Sequence, residues 1–244
     1  PVRTEATGYG TVYMLQDMLQ NSNQDLEGKR CLVSGSGNVA LYAIEKLNAL
    51  GAKVVTASDS SGFVLDPLGI DSEKLEFLMN LKINLRAGIS EYAKEYGVEF
   101  YQGQRPWAVP CDVAVPCATQ NEISAKDASS LIGNGVQAIS EGANMPTEQE
   151  GIKRFTEAQV LFGPSKAANA GGVAVSGLEM SQNSARLTWS EEEIQTHLRR
   201  IMSSIHEQCL VYGETKDNYV DYVKGANIAG FVKVADAMIA YGVV

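Results

Sequence analysis

Arg30-Cys31-Leu32-Val33-Ser34-Gly35-Ser36-Gly37-Asn38-Val39-Ala40 is the stretch that decides the fold. An apolar run enters a Gly-x-Gly-x-x-Ala turn, a helical stretch from Leu41 to Leu50 follows and is closed by Gly51, and a second apolar run begins at Val54. Strand, turn, helix and strand in that order are the context in which this glycine spacing holds a dinucleotide. Gly35 permits the tight turn, Gly37 lets backbone approach a pyrophosphate with no Cβ in the way, and Ala40 lets the helix pack close against the strand. The pyrophosphate then meets a helix N-terminus, where free N–H groups and the helix dipole favour negative charge. Outside that context the same spacing is an ordinary strand-to-helix joint.

Outward from this unit, short apolar runs recur at Val113-Ala114-Val115, Val136-Gln137-Ala138-Ile139 and Val160-Leu161-Phe162, with helical segments near Asp71 to Leu81 and Ile89 to Tyr96. Strands separated by helices predict an α/β, Rossmann-like, doubly wound and mostly parallel sheet. Ligand residues are then expected just beyond the carboxyl ends of the strands. Val12, Leu15 and Leu19 space a leading helix over about 9–20, ended by Asn21-Ser22-Asn23. Ser190-Glu191-Glu192-Glu193 is a capping box, and Ile194, Leu198, Ile201 and Ile205 mark one face of a helix of about six turns. A further helix is predicted near Ala226 to Tyr241. The core therefore spans about 24–189, and the helices of about 190–244 exceed what it needs and are available to pack against another part of the protein.

The 244 residues are 45% hydrophobic, enough for a sizeable core, and 29 acidic against 20 basic residues give a net charge of −9. That balance argues against a nucleic-acid or membrane-surface binder, so phosphate binding must rest on local geometry. Cys31, Cys111, Cys117 and Cys209 are scattered, with no C-x-x-C pair and no His/Cys cluster for a metal. They read as reduced core residues of a cytoplasmic protein. His197 and His206, on the late helix, read as surface or packing residues. The opening Pro1-Val2-Arg3 lacks an initiator Met and leads at once into a motif, so the chain reads as part of something longer.

Several segments follow the expected strands: Pro116-Cys117-Ala118-Thr119-Gln120-Asn121, Glu141-Gly142-Ala143-Asn144-Met145-Pro146, Pro164 to Val173, and Ser176-Gly177-Leu178-Glu179-Met180-Ser181-Gln182-Asn183. With Arg3-Thr4-Glu5-Ala6-Thr7-Gly8-Tyr9-Gly10 they resemble glutamate dehydrogenase, in particular the cofactor-binding half of its hexameric, NADP-linked type. The resemblance runs from Arg3 to the C-terminus. It implies that residues 1–244 form a dinucleotide-binding domain, with room for one reversed strand in the sheet. It also implies a missing N-terminal domain that carries the catalytic Lys and Asp. The implied reaction interconverts L-glutamate with 2-oxoglutarate and ammonia by hydride transfer with NADP(H), in a homohexamer whose domains close over substrate. This chain alone is then expected to be inactive.

By that resemblance Gly35, Ser36, Gly37, Asn38 and Val39 form the pyrophosphate turn, with Asn38 and Thr7 placed to bond the nicotinamide carboxamide. Ala118, Thr119, Gln120, Gly142, Ala143 and Asn144 line the adenosine and nicotinamide ribose. Asn169 stands between nicotinamide and substrate. Val173 and Ser176 touch the substrate side chain, the serine directed at its distal carboxylate, and Arg3 belongs to a motif of the substrate region. Taken singly, Asn144 and Asn169 also suit tight turns, Ser176 also suits a helix serine bonded to its own backbone, and Lys166 reads either as a charge near the site or as a surface lysine.

The choice of cofactor turns on Ser58-Asp59-Ser60-Ser61-Gly62. A carboxylate after the second strand ordinarily holds the ribose hydroxyls and selects NAD. The segment resembles the NADP-linked members, however, in which serines and a following lysine hold the 2′-phosphate. Lys82 stands at the matching lysine position, while Leu85 stands where arginine is expected and Arg86 one place later. NADP is favoured and NAD is the alternative, with Ser58, Ser60, Lys82 and Arg86 around the phosphate. Asp59 must then face away or have its charge offset by those cations. The rival enzyme is a leucine-, valine- or phenylalanine-type dehydrogenase, disfavoured by the hydroxyl of Ser176. A rival of another class is a non-catalytic module that binds nucleotide or assembles through its C-terminal helices.

Overall fold

The computed structural model describes residues 3–215 and 217–242. The side chain of Arg3, expected near substrate, lies outside the described residues. The elements in chain order are α1 (Arg3–Asn21), β1 (Arg30–Val33), α2 (Asn38–Ala49), β2 (Lys53–Val54), β3 (Thr56–Asp59), β4 (Gly62–Leu65), α3 (Ser72–Met79), α4 (Ser90–Tyr96), β5 (Glu99–Gln102), β6 (Val113–Val115), α5 (Ala125–Gly133), β7 (Ala138–Ser140), α6 (Gln149–Glu157), β8 (Leu161–Gly163), α7 (Ser165–Ala168), α8 (Gly171–Ala185), α9 (Glu191–Gly213) and α10 (Tyr222–Tyr241). A π-helical turn, Asn80–Asn84, extends α3.

The main sheet is five-stranded and parallel, in the order β2-β1-β6-β7-β8. Successive residues of β1 serve opposite faces, as a strand requires: Cys31 and Val33 pack with α1 and α2, and Leu32 packs with Trp107, Phe155 and Phe162. Strand order reverses between β1 and β6, where Cys31 pairs with Val113 and Val33 with Val115. That reversal is the switch point where a doubly wound sheet opens its ligand crevice.

The second apolar run, expected from the sequence as one strand after α2, is not continuous. It divides at Val55: β2 joins β1, while β3 pairs antiparallel with β4 in a separate three-stranded sheet, β3-β4-β5. The reversed strand for which the resemblance left room is not found in the main sheet, whose pairings among the described residues are all parallel; the antiparallel pairings lie in this smaller sheet. As the chain peels away from β1, the Thr56 hydroxyl accepts from Val33 N–H and donates to Val33 O, each at 3.0 Å, in place of the backbone ladder.

Helix α1 begins at Arg3, earlier than the predicted Tyr9. Gly8 and Gly10, both within α1, serve close helix packing. A Cβ on Gly8 would lie 2.7 Å from both Ala43 N and Val39 O of α2. Helix α9 starts at its capping box, where Ser190 N–H donates to Glu193 and Glu193 N–H to Ser190. It is pinned across α1 by Arg199, whose Nη1 lies 2.7 Å from Asp17 Oδ2. His206 is buried with Nε2 3.1 Å from the Tyr222 hydroxyl, a packing role, and His197 lies beside Trp189. All four cysteines are buried and free. Among the described residues no helix is long and apolar enough to cross a membrane, and no His/Cys/Asp/Glu group is arranged to hold a metal.

Candidate dinucleotide site

The glycine turn lies at the switch point. Gly35 adopts φ +87, a left-handed conformation suited to glycine, and a Cβ there would press within 3.0 Å of Cys117 O in the loop after β6. Gly37 is the N-cap of α2, with no side-chain cap and nothing within 4 Å of where its Cβ would stand. The first N–H groups of α2 thus have no side-chain cap, which is the arrangement an anionic pyrophosphate fits. Ser58 is buried, and its Oγ accepts Gly35 N–H at 2.7 Å while Ser58 N–H donates to Gly35 O at 3.1 Å. In this structure Ser58 braces the turn instead of facing a phosphate.

Beside the turn lies a cavity of ≈ 710 Å³. Thr7 of α1, Val39 of α2, the loop Ala118-Thr119-Gln120 after β6, the loop Gly142-Ala143-Asn144 after β7, Asn169 after α7, and Val173 and Ser176 of α8 all line it. Residues far apart in sequence, and expected from it, are thus brought to one crevice. Gly35 to Asn38 form the turn leading into Val39 and are not themselves part of the lining. Asn169 Nδ2 donates to Asn144 Oδ1 at 2.7 Å and to Ala143 O at 3.3 Å, which locks the two asparagines together. Ser176 Oγ donates to Gly172 O at 3.0 Å, the ordinary helix-serine bond, so it must rotate or accept to meet a ligand. Lys166 bonds Asn227 and belongs to another cavity of ≈ 810 Å³, between α9 and α10.

Asp59, Ser60, Lys82 and Arg86 do not line this cavity: Asp59 ends β3 with Ser60 in the turn after it, and Lys82 is on the π-helical turn with Arg86 just beyond it. Lys82 Nζ lies 3.0 Å from Asp59 Oδ2 and donates to Ala87 O at 2.8 Å. The same carboxylate accepts Ile89 N–H at 2.8 Å and both donors of Ser61. Burial alone would raise this carboxyl, but those donors outweigh it and lower its pKa to about 2. The charge of Asp59 is thus offset by Lys82. Ser60 is exposed, and Arg86 is exposed with φ +52.

Sequence reasoning missed Cys117 and Gly172, which also line the cavity, and two buried carboxylates. Glu122 follows β6 and Glu141 follows β7; each is 2% exposed, and burial pushes each carboxyl up. Glu141 Oε2 accepts Ser165 N–H at 2.7 Å at the start of α7. Glu122 accepts Ala118 N–H at 3.0 Å and Thr119 N–H at 3.3 Å. Glu141 directly follows β7 and Glu122 lies in the loop between β6 and α5, and that placement beyond parallel strands was the available signal.

The family model for glutamate/leucine/phenylalanine/valine dehydrogenases matches residues 1–242. The chain is 60% identical over 242 residues to the NAD(P)-specific glutamate dehydrogenase of Xylanibacter ruminicola, covering 99% of this chain and 54% of that protein. It is 56% identical over 243 residues to the NADP-specific glutamate dehydrogenase of Salmonella typhimurium, covering 100% of this chain and 54% of that protein. The crystal structure of Plasmodium falciparum glutamate dehydrogenase superposes with a TM-score of 0.95 at 44% identity, over 100% of this chain and 53% of that one. The chain thus spans about half the length of the relatives it matches. Matched along nearly its whole length, it belongs to the glutamate/leucine/phenylalanine/valine dehydrogenase family.

Proposed function

We propose that this chain is the cofactor-binding domain of a glutamate dehydrogenase that uses NADP(H). The observation that carries the reading is the convergence, at the switch point of the sheet, of the uncapped α2 N-terminus with the cavity loops 118–120 and 142–144. The dinucleotide, when bound, supplies or accepts a hydride at its nicotinamide. Gly37 and the first N–H groups of α2 hold the pyrophosphate, and the wall loops hold the ribose and nicotinamide. Thr7 and the Asn144–Asn169 pair orient the ring, so that one face meets substrate.

The far end selects the cofactor. Lys82 offsets Asp59 and adds a charge-assisted donor for a 2′-phosphate, with Ser60 and Arg86 exposed beside the same segment. The names of the Xylanibacter and Salmonella relatives, NAD(P)-specific and NADP-specific, agree with that choice. Val173, 79% exposed, and Ser176 form the wall on which the side chain of glutamate or 2-oxoglutarate rests. The acid–base groups belong to a second domain, which closes over this face in each subunit of a homohexamer.

The test joins this chain to the N-terminal half of the Salmonella typhimurium relative and assays reductive amination. NADPH oxidation that requires both 2-oxoglutarate and ammonia is expected. Preference for an apolar 2-oxo acid would place the chain with the other dehydrogenases of its family. Loss of activity in a well-folded hybrid would favour a non-catalytic module.

A further inference from the structure

Glu122 has the surroundings of a working part, although its side chain reaches no ligand-facing surface. It is 2% exposed, and its backbone carbonyl is fixed by Arg105 Nη1 at 2.8 Å and by the wholly buried Trp107 Nε1 at 3.1 Å. From that anchored backbone the carboxylate reaches two successive amides of the cavity wall, Ala118 N–H at 3.0 Å and Thr119 N–H at 3.3 Å. Ser34, the residue immediately before Gly35, hydrogen-bonds the same carboxylate, and its Oγ accepts Cys117 N–H at 2.9 Å.

We propose that Glu122 is a positioning residue for the dinucleotide, a single buried carboxylate that sets the wall at Cys117-Ala118-Thr119 and ties it to the phosphate turn at Ser34-Gly35. The wall segment between β6 and α5 has no ladder partner for these amides, and the Glu122 carboxylate supplies the acceptor in its place. A carboxylate is acceptor-only and takes several donors at once, whereas an amide offers one oxygen and brings donors of its own. Ser34 accepts from the wall and bonds Glu122, which makes turn and wall one hydrogen-bonded unit. Gly35 lies against Cys117 in that unit. Displacement of the wall therefore moves the turn with it, although Glu122 touches no part of the ligand.

This inference rests on the cofactor reading given above, and the experiment separates the two. The chain and its Glu122→Gln variant are titrated calorimetrically with NADPH and with NADH, well below the unfolding temperature of each. Amide exchange at residues 117–119 is followed in parallel. Glu122→Gln should weaken both dinucleotides by roughly tenfold, keep the ratio between them, and speed exchange at residues 117–119. Wild-type affinity in the variant, with only its unfolding temperature lowered, would overturn the positioning role and leave the cofactor reading intact. A wild-type chain that binds neither dinucleotide would overturn both. Should Glu122→Gln fail to fold, Glu122→Asp keeps the charge but withdraws it by one methylene, and it is held to the same two outcomes.

Discussion

Lys82 Nζ and Asp59 Oδ2 stand 3.0 Å apart, half-buried, where the strand that leaves the main sheet meets the π-helical turn. By the simple rule a carboxylate at this position holds ribose hydroxyls and repels a 2′-phosphate. Here it holds a lysine instead, and it also accepts Ile89 N–H just ahead of α4. An acidic residue thereby becomes compatible with a phosphate-bearing cofactor.

Lys82→Ala is expected to weaken NADPH roughly tenfold or more, the low end of the range for a charge-assisted bond of about 1.5–3 kcal/mol, because Lys82 must share itself with Asp59. NADH should be nearly unaffected. Equal losses for both dinucleotides in a binding titration would remove Lys82 from the phosphate site.

Asp59 also carries a pH signature. Its folded pKa is lowered to about 2 from the ordinary 3.8, so its contribution to stability is complete above about pH 4 and fades as pH falls towards 2. The unfolding temperature of Asp59→Asn should lie below wild type at neutral pH, and the gap should narrow across that acidic window. A gap that stays constant with pH would show that the ionised carboxylate is not what Lys82 and Ile89 require.

Two glycines separate folding from binding. A Cβ on Gly171 would fall 2.1 Å from Ala6 O, backbone that cannot easily give way, so Gly171→Ala should cost about 1–3 kcal/mol and several degrees of unfolding temperature. A Cβ on Gly37 meets nothing within 4 Å, and its φ of −86 suits any residue. Gly37→Ala should leave thermal unfolding nearly unchanged and weaken both NADPH and NADH. Retained dinucleotide affinity in Gly37→Ala would argue that no pyrophosphate meets this turn.

Burial pushes the cysteine thiols up, Cys111 to about 12, Cys209 to about 11 and Cys117 well above its ordinary value. Since the thiolate is the reacting form, the native chain should react slowly with dithionitrobenzoate at pH 8, and all four thiols should appear on unfolding. Cys117, which lines the cavity, should be shielded further by NADPH. Fast native labelling that ignores NADPH would contradict both the burial and the placement.

What the sequence made legible follows from how locally each feature is specified. The turn at Gly35 and Gly37, the capping box at Ser190 and the strand runs at β1, β6, β7 and β8 depend on neighbours in the chain, and these stand where they were expected to within a residue or two. The wall residues of the cavity were reachable only through resemblance, since nothing in Ala118 or Gly142 by itself names a ligand. Features settled at a distance were hidden. The packing role of Gly8 could not be read locally because its partner, the backbone of α2, lies more than thirty residues away. The division at Val55 depends on a side-chain bond from Thr56 to β1. Glu122 and Glu141 were given no role by the sequence, because the amides that they accept are brought to them only by the fold.

The central claim, that a dinucleotide lies along the turn and the cavity at the sheet's switch point, is tested most directly by amide chemical shifts of the chain recorded with and without NADPH. The account predicts changes concentrated at Gly37 to Val39, at 117–120, at 142–144 and at the Asp59–Lys82 pair, with NADH sparing the last of these. Changes centred on the groove between α9 and α10, or none at saturating NADPH, would contradict it.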